Sequence, residues 1–593
     1  MDLLWRRRRG FRWVLVAAVL ALALVVTACG GGQQEEQATE PEPQEPEKVV
    51  GDTLLYGSIG DATTFNPILV NDTASGTISD LIFEGLAKVD DKIAWIPALA
   101  ESWSYSEDGT EWVFKLRQDV KWHDGEPFTA KDVAFTFEAI MHPNYEGVRR
   151  RNYDKFVGFA EYVDKLNQIS QDFSDGKITE EEANQLKLEA FEEWRQAGAI
   201  TIVDDYTIKF KLTEAFAPFM NAISMGIIPG HVFDWDPGEA GKKDHPFNTE
   251  NPIGTGPYKF VKWTRDEEVV VEANLDYWGE GPYVERFVMR VIPDQQVVTL
   301  SLETGEIDMG SIQPEDFERM TGVEHLKTFE YPTFSYTYMG YNLTNPLFQD
   351  KRVRQAITHA IDRQTIVDEL LVGHGTVAHS HGSPARWDYN PDVPKFEYNP
   401  ERAKELLAEA GWTDTDGDGI LDKDGQKFTF KLQTNQGNKI REDSAVLIQD
   451  YLKEVGIEVE VEFVEWNTFV NEVILPKNFE TIIVGWSLGT DPDAFSIWHT
   501  NGGLFNFISF SNARVDELLE KGRTTLDQEK RKEIYGEFQA ILAEEQPYTF
   551  LYFRNALVGL HKRFEGPISG TPAGMLWNLN EWYVPADAQL RTE

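Results

Sequence analysis

Residues 481 to 500 read TIIVGWSLGTDPDAFSIWHT. The run Thr481 to Val484 is short, apolar and β-branched, which predicts a buried strand. It ends in a loop punctuated by Pro492. In that loop Trp486 and Trp498 flank two carboxylates, Asp491 and Asp493. Loops at strand ends are where a rigid scaffold presents binding groups. Aromatic walls with a few placed charges describe a small-ligand pocket. The same letters also suit a tryptophan-rich core corner beside a solvated acidic turn.

Working outward, strands are predicted at Phe428 to Thr434 and Glu458 to Val464, with a helix at Ile440 to Val455 between them. Helices follow near Ala513 to Lys521 and Gln528 to Glu544, then a strand at Tyr548 to Phe553. Upstream, Tyr331 to Asn342 (YPTFSYTYMGYN) is an aromatic strand that suits a crossing between lobes. It precedes helices at Asp350 to Asp362, from Gln364, and at Pro400 to Ala410. In the first half, strands are predicted at Gly51 to Ile59, Trp112 to Leu116, Thr207 to Leu212, Val269 to Ala273 and Phe287 to Val291. Helices are predicted at Ser79 to Leu86 and at Ala130 to Met141, the latter capped by Thr129. The polar segment Tyr153 to Gln196 reads as an exposed helical hairpin whose second arm opens on a capping box, Thr179 with Glu182. Helices alternating with short buried strands give an α/β fold.

A chain of 593 residues is long enough for several lobes. Its formal charge of −43 should repel nucleic acid, so no nucleic-acid partner is expected. Seventeen tryptophans suit a protein that encloses ligands, or simply an aromatic core. The first residues combine a basic stretch, Arg6 to Arg9 with Arg12, and an apolar run from Val14 to Val26 that is short for a membrane span. Small residues then lead to Cys29, the single cysteine of the chain. This resembles a bacterial lipobox, with residues 1–28 as signal peptide and Cys29 lipidated. Residues 29–50, rich in Gly, Gln, Glu and Pro, cannot bury enough apolar surface to fold and read as a tether.

Several blocks in order carry a family resemblance: ALAESWSYSEDGTEWVFKLRQDVKWHDGEPFTAKDVAFTFE (98–138), NPIGTGPYKF (251–260), ANLDYWGEGPYVERFVMRVIPD (273–294), PLFQDKRVRQAITHAIDRQTIVDELL (346–371) and YNPERAKELLAEAGW (398–412). The chain resembles the extracytoplasmic solute-binding proteins of ABC transporters, in the family 5 group of oligopeptide and dipeptide binders. The resemblance implies a two-lobed, periplasmic-binding-protein-like fold (class II, cluster C) that closes over its ligand. Lobe I would comprise residues 51–96, 250–330 and 546–593, with an accessory subdomain at 97–249 and the helical insertion at about 153–196. Lobe II would be 331–545, with crossings near Tyr331 and Glu545.

Carried over by position, the resemblance implies that Ala62, Thr63, Tyr338, Gly340, Trp466 and Trp486 line the cleft, with Tyr336 adjacent. Relatives place an Asp three residues after the Trp that matches Trp486, to hold a peptide ammonium; here that residue is Gly489. Asp491 or Asp493 is the expected substitute. Some relatives also carry an Arg three residues before that Trp, where this chain has Ile483. A longer peptide held along its backbone, or a non-peptide solute such as an oligosaccharide or a nickel chelate, fits this departure. The implied partners are the peptide, the ABC permease subunits and the membrane through Cys29, on the extracytoplasmic face of a bacterial cell.

Residues 414–425, DTDGDGILDKDG, match the start of a calcium loop at Asp414, Asp416, Asp418, Ile420 and Asp422, although the twelfth position is Gly425 where a bidentate Glu belongs. No cofactor is required; a structural Ca²⁺ is the one ion this loop suggests, against an acidic turn. His374, His379 and His381 sit in a Gly-rich segment and read as a solvated loop rather than a metal site. HExxH and GxxxxGK[ST] are absent, and Trp122-His123-Asp124 lacks a nucleophile, so the chain is not read as an enzyme.

Overall fold

Short strands with period-two side chains build one large mixed sheet that both halves of the molecule share. The computed structural model describes residues 48–572 and 574–591; the basic and apolar N-terminal segment, Cys29 and the tether through Glu47 lie outside the described residues. From one edge the main strand order is Glu458–Val464, Thr429–Asn435, Thr481–Trp486, Leu326–Tyr341, Tyr548–His561, Met309–Ser311, Gly51–Ser58, Val284–Val291, Glu268–Ala273 and Tyr258–Thr264. Gly375–Val377 pairs beside Tyr548–His561.

Each half contains its own parallel group. Thr429–Asn435 runs parallel to Glu458–Val464 and to Thr481–Trp486. The helix Lys439–Glu454 supplies the crossover that a parallel pair needs. In the other half Gly51–Ser58 runs parallel to Val284–Val291 and to Met309–Ser311. The two groups are joined by the antiparallel pair Leu326–Tyr341 and Tyr548–His561. Their register breaks between Pro332 and Tyr336 and again between Thr337 and Tyr338. A break in a ladder is where two sheet halves can rotate with least loss of hydrogen bonding.

The cores follow the same division. Successive residues of a strand point to opposite faces. Tyr336 and Tyr338 accordingly enter one cluster of lobe II, with Ile482, Val484 and Trp498. Met339 and Tyr341 enter another, with Ile357 and Ile448. In lobe I, Leu54 joins the cluster shared with the accessory subdomain, while Leu55 joins the one beneath Val298 and Leu302. The accessory subdomain carries a four-stranded sheet, Ala100–Tyr105, Glu111–Leu116, Thr207–Lys211 and Ile200–Asp204 in that order. The strand Gly51–Ser58 is tied to later segments by charge: Arg563 bonds Asp52 and Asp308 at 2.9 Å each, and all three side chains are buried.

The helix Ala130–Met141 carries the predicted Thr129 cap, completed as a box by Asp132. The insertion forms two helices, Phe159–Ser174 and Glu180–Gln196, with the Thr179–Glu182 box in place. Its inner face is less exposed than expected, since Tyr162, Phe191 and Trp194 are buried against the accessory core. The helix expected at Ser79 to Leu86 instead spans Thr73–Ile82, because Asp72 caps it by accepting the Ser75 N–H. The strand expected at Tyr548 to Phe553 continues to His561. Its first half packs in lobe II through Tyr548, Phe550 and Phe553, and its second half in lobe I through Val558 and Leu560. The strand therefore passes from one core cluster to the other near Arg554.

Candidate functional site

In open α/β sheets ligands sit beyond the carboxyl ends of parallel strands, where the loops leave room and unpaired backbone groups. Here those ends are Ser58, Val291 and Ser311 in lobe I, and Asn435, Val464 and Trp486 in lobe II. Ala62 and Thr63 lie just past Ser58, and Trp466 just past Val464. A cavity of about 860 Å³ opens along the lobe I edge, lined there by Tyr56 and Ser311 and reached from lobe II by Thr490. Thr490 Oγ1 donates to Asn221 Oδ1 of the accessory subdomain at 3.3 Å, so the loop after Trp486 closes one side of it.

The loop 61–63 is fixed by the helix behind it. Thr63 gives its N–H to Ser75 Oγ and its hydroxyl to Asp72, each at 2.8 Å. Ala62 is buried and Thr63 exposed. Trp466 is 48% exposed and available to a ligand. Trp486 is half-buried, its ring stacked on Phe507 at 5.3 Å, with Phe505 edge-on at 5.8 Å.

Tyr338 and Gly340 do not line the cleft. They pair with Val484 and Ile482, two and four residues behind the carboxyl edge. The Tyr338 ring is fully buried and stacked on Tyr548 at 3.7 Å. A Cβ at Gly340 would meet that ring at 3.0 Å and Ile508 at 3.4 Å. Tyr336 faces Trp486 across the ladder at the edge but turns its own ring into the core.

Asp491 and Asp493 are likewise not free charges. Asp491 forms a two-pronged pair with Arg531, at 2.7 and 2.8 Å. Asp493 lies 3.2 Å from Arg523; burial pushes its carboxyl up, and that guanidinium holds it back. The ammonium role expected of either carboxylate is thus filled by an arginine of lobe II itself. Arg523 also reaches the accessory subdomain. Its guanidinium lies between the rings of Phe216 and Phe495, at 4.8 and 4.5 Å, and 3.8 Å from Asp154. Its carbonyl accepts the Ala217 N–H at 2.7 Å. Lobe II therefore touches the accessory subdomain as well as pairing with lobe I through the long strands.

The acidic loop is closed by protein groups. Asp414, Asp416 and Asp422 offer carboxylate oxygens within 4.8 Å of one another. Lys427 Nζ takes both oxygens of Asp416 at 2.7 Å and one of Asp418 at 2.9 Å. Asp414 accepts the N–H groups of Gly417 and Gly419, Asp418 that of Ile420, and Asp422 the N–H and hydroxyl of Thr415. A cation here would have to displace the lysine.

The histidines separate. His381 is buried rather than solvated, and its Nδ1 accepts the Trp498 indole N–H at 3.0 Å and lies 3.1 Å from the Tyr336 hydroxyl. An indole can only donate, so His381 is neutral at Nδ1, as its burial also requires. His374 pairs with Glu330 at 3.1 Å. His123 accepts the Gly254 N–H at Nδ1 and meets the Gly256 carbonyl at Nε2, a structural clamp.

Sequence reasoning did not reach Asp80, Arg149, Asn221 or Arg523. The Asp72 cap was the one local signal available. Placing the helix start there puts Thr73, Thr77 and Asp80 on one face, and all three line the cavity.

Residues 94–506 match the sequence family described as bacterial extracellular solute-binding proteins, family 5, middle region. The oligopeptide-binding protein AppA of Bacillus subtilis is 35% identical over 586 residues, covering 98% of this chain and 99% of that protein. The solved structure of AppA with a nonapeptide superposes with a TM-score of 0.74 at 36% identity, covering 91% of this chain and 100% of that one. NikZ of Campylobacter jejuni, solved with Ni(L-His), gives 0.72 at 26% identity, over 90% and 100%.

Proposed function

Because this chain belongs to the bacterial extracellular solute-binding proteins of family 5, which bind solutes and are not enzymes, we propose that it captures oligopeptides between its lobes and hands them to the permease of an ABC importer. The observation that carries this reading is the cavity at the carboxyl edge, walled by lobe I and capped by Thr490 of lobe II. A ligand there touches both lobes only when they are closed, so binding shifts the open–closed equilibrium. Its likeness to AppA, whose solved complex holds a nonapeptide, supports a peptide as the solute. Aromatic side chains give tolerant apolar contact and strand-end backbone groups give hydrogen bonds independent of peptide sequence.

The proposal includes a lipid anchor on Cys29 after cleavage of residues 1–28, supported by the lipobox-like sequence. It places the lobes at 51–96, 250–330 and at 331–545, with the accessory subdomain at 97–249, and moves the last boundary from 546 to near Arg554. The support is the broken register at Pro332–Tyr336 and the separate cores. Native mass spectrometry of the purified protein, followed by release of its ligand, tests the central claim: peptides of several residues are expected, whereas a metal chelate or sugar would replace the peptide reading. Intact mass of membrane-extracted protein tests the anchor, since Cys29→Ser should lose the acyl mass and release the protein from the membrane.

A further inference from the structure

The charged side chains that face the cavity are Asp80, Glu84, Lys88 and Arg149. Three are accounted for in different ways. Glu84 accepts the Tyr277 hydroxyl and the Trp278 indole N–H, both at 2.7 Å, with Thr255 at 3.4 Å. Lys88 lies within its field. Arg149 donates through Nη2 to the Val70 carbonyl at 2.7 Å. Asp80 differs from all of these. Among the described residues it accepts no hydrogen bond and has no ion-pair partner, and the single charge acting on it is Arg149 at longer range. It is exposed to the cavity, on the same helix face as Thr73 and Thr77. The same cavity is also lined by the aromatic residues Tyr56, Trp95, Tyr277 and Tyr331. A carboxylate with no hydrogen bond or ion pair of its own, on a cavity that also carries aromatic side chains, suits a cation, which can gain from both.

We propose that this cavity is a subsite for a positively charged group of the bound peptide, an amino terminus or a Lys or Arg side chain, with Asp80 as its counter-ion. The inference rests on the peptide reading above. Burial pushes the Asp80 carboxyl up to about 6, the charge of Arg149 offsetting only part of that rise. A ligand cation completes what Arg149 begins. Glu84 and Lys88, the other charges on the cavity, face each other more than they face Asp80.

The test is calorimetric binding of alanine pentapeptides carrying one Lys at each position in turn, the same set with norleucine, and both sets N-acetylated. They are titrated into the full mature chain and into Asp80→Asn and Asp80→Glu. A side-chain cation predicts that the Lys-to-norleucine change weakens wild-type binding about 10- to 100-fold at one position, and that Asp80→Asn removes this preference. An amino-terminal cation predicts the same of acetylation. In either case Asp80→Glu retains part of the preference, and wild-type affinity rises from pH 5 to pH 7 while that of Asp80→Asn does not. If wild type binds the peptides and Asp80→Asn binds every one equally well, the subsite is wrong and the peptide reading stands. If wild type binds none of them, both fall.

Discussion

Asp491 shows how little a conspicuous residue says before its neighbours are known. It lies in a loop at a strand end, beside aromatic residues, where a ligand-binding carboxylate is expected. In the fold it is consumed by Arg531, whose side chain is only 7% exposed. Removing one member of such a pair strands the other charge. Asp491→Asn is therefore expected to cost about 3–5 kcal/mol of stability in chemical denaturation, with solute affinity of the folded protein unchanged. Glu84 makes the complementary case. Burial raises its carboxyl to about 7, against the pull of its Tyr277 and Trp278 donors. A carboxyl whose folded pKa is raised contributes fully below its unfolded value near 4.5, and that stability is lost as pH rises through about 7. Glu84→Gln keeps an acceptor for both donors without the charge. The variant is expected to match wild type at pH 4.5 and to exceed it by about 1–3 kcal/mol at pH 8, read from denaturant midpoints at the two pH values.

At the level of elements, local signals did well where the chain signals its own boundaries and poorly where another segment decides. Thr129 and Thr179 cap helices as their spacing predicts, since a cap bonds within three residues. The strand from Tyr548 runs on to His561 because Leu326–Tyr341 pairs with it on both sides of the register break, which no local window reveals. The loop 414–425 illustrates the same limit. Its alternating carboxylates are those of a calcium loop, yet Lys427, outside the motif, bonds Asp416 and Asp418. Lys427→Met removes that internal cation and leaves the carboxylates facing one another. Calcium binding by the chelated protein, measured by calorimetry, is expected to be tighter in Lys427→Met than in wild type by about tenfold. Equal heats for both would show that the loop is an acidic turn and nothing more.

For the whole molecule, the arrangement depends on two seams. One is the crossing pair of strands with its broken register. The other is the contact of Arg523 with Phe216, Phe495, Asp493 and Asp154. Two of those partners, Phe216 and Asp154, belong to the accessory subdomain, so the contact exists only while the lobes are together. Arg523→Ala should shift the ligand-free protein toward open forms, raising its radius of gyration in small-angle scattering. Solute affinity should then fall by up to about tenfold, because binding must supply the closure that the arginine supplied. A variant as compact as wild type would remove Arg523 from this role.

The sequence by itself determined the α/β layering, the helix caps and the aromatic strand, because each rests on periodicity or on contacts within a few residues, while the family was legible only through the resemblance of the ordered blocks. Trp486 ends the strand Thr481–Trp486 and Trp466 follows the strand Glu458–Val464, strand ends that can be read locally. Only the tertiary structure decided that Tyr338 and Gly340 turn into the core, that Arg531 and Arg523 claim Asp491 and Asp493, and that Asp80 is left facing a cavity. Those outcomes depend on partners tens to hundreds of residues away. Whether a charge is free or spent is set by what the folded chain brings beside it, not by its own stretch of sequence.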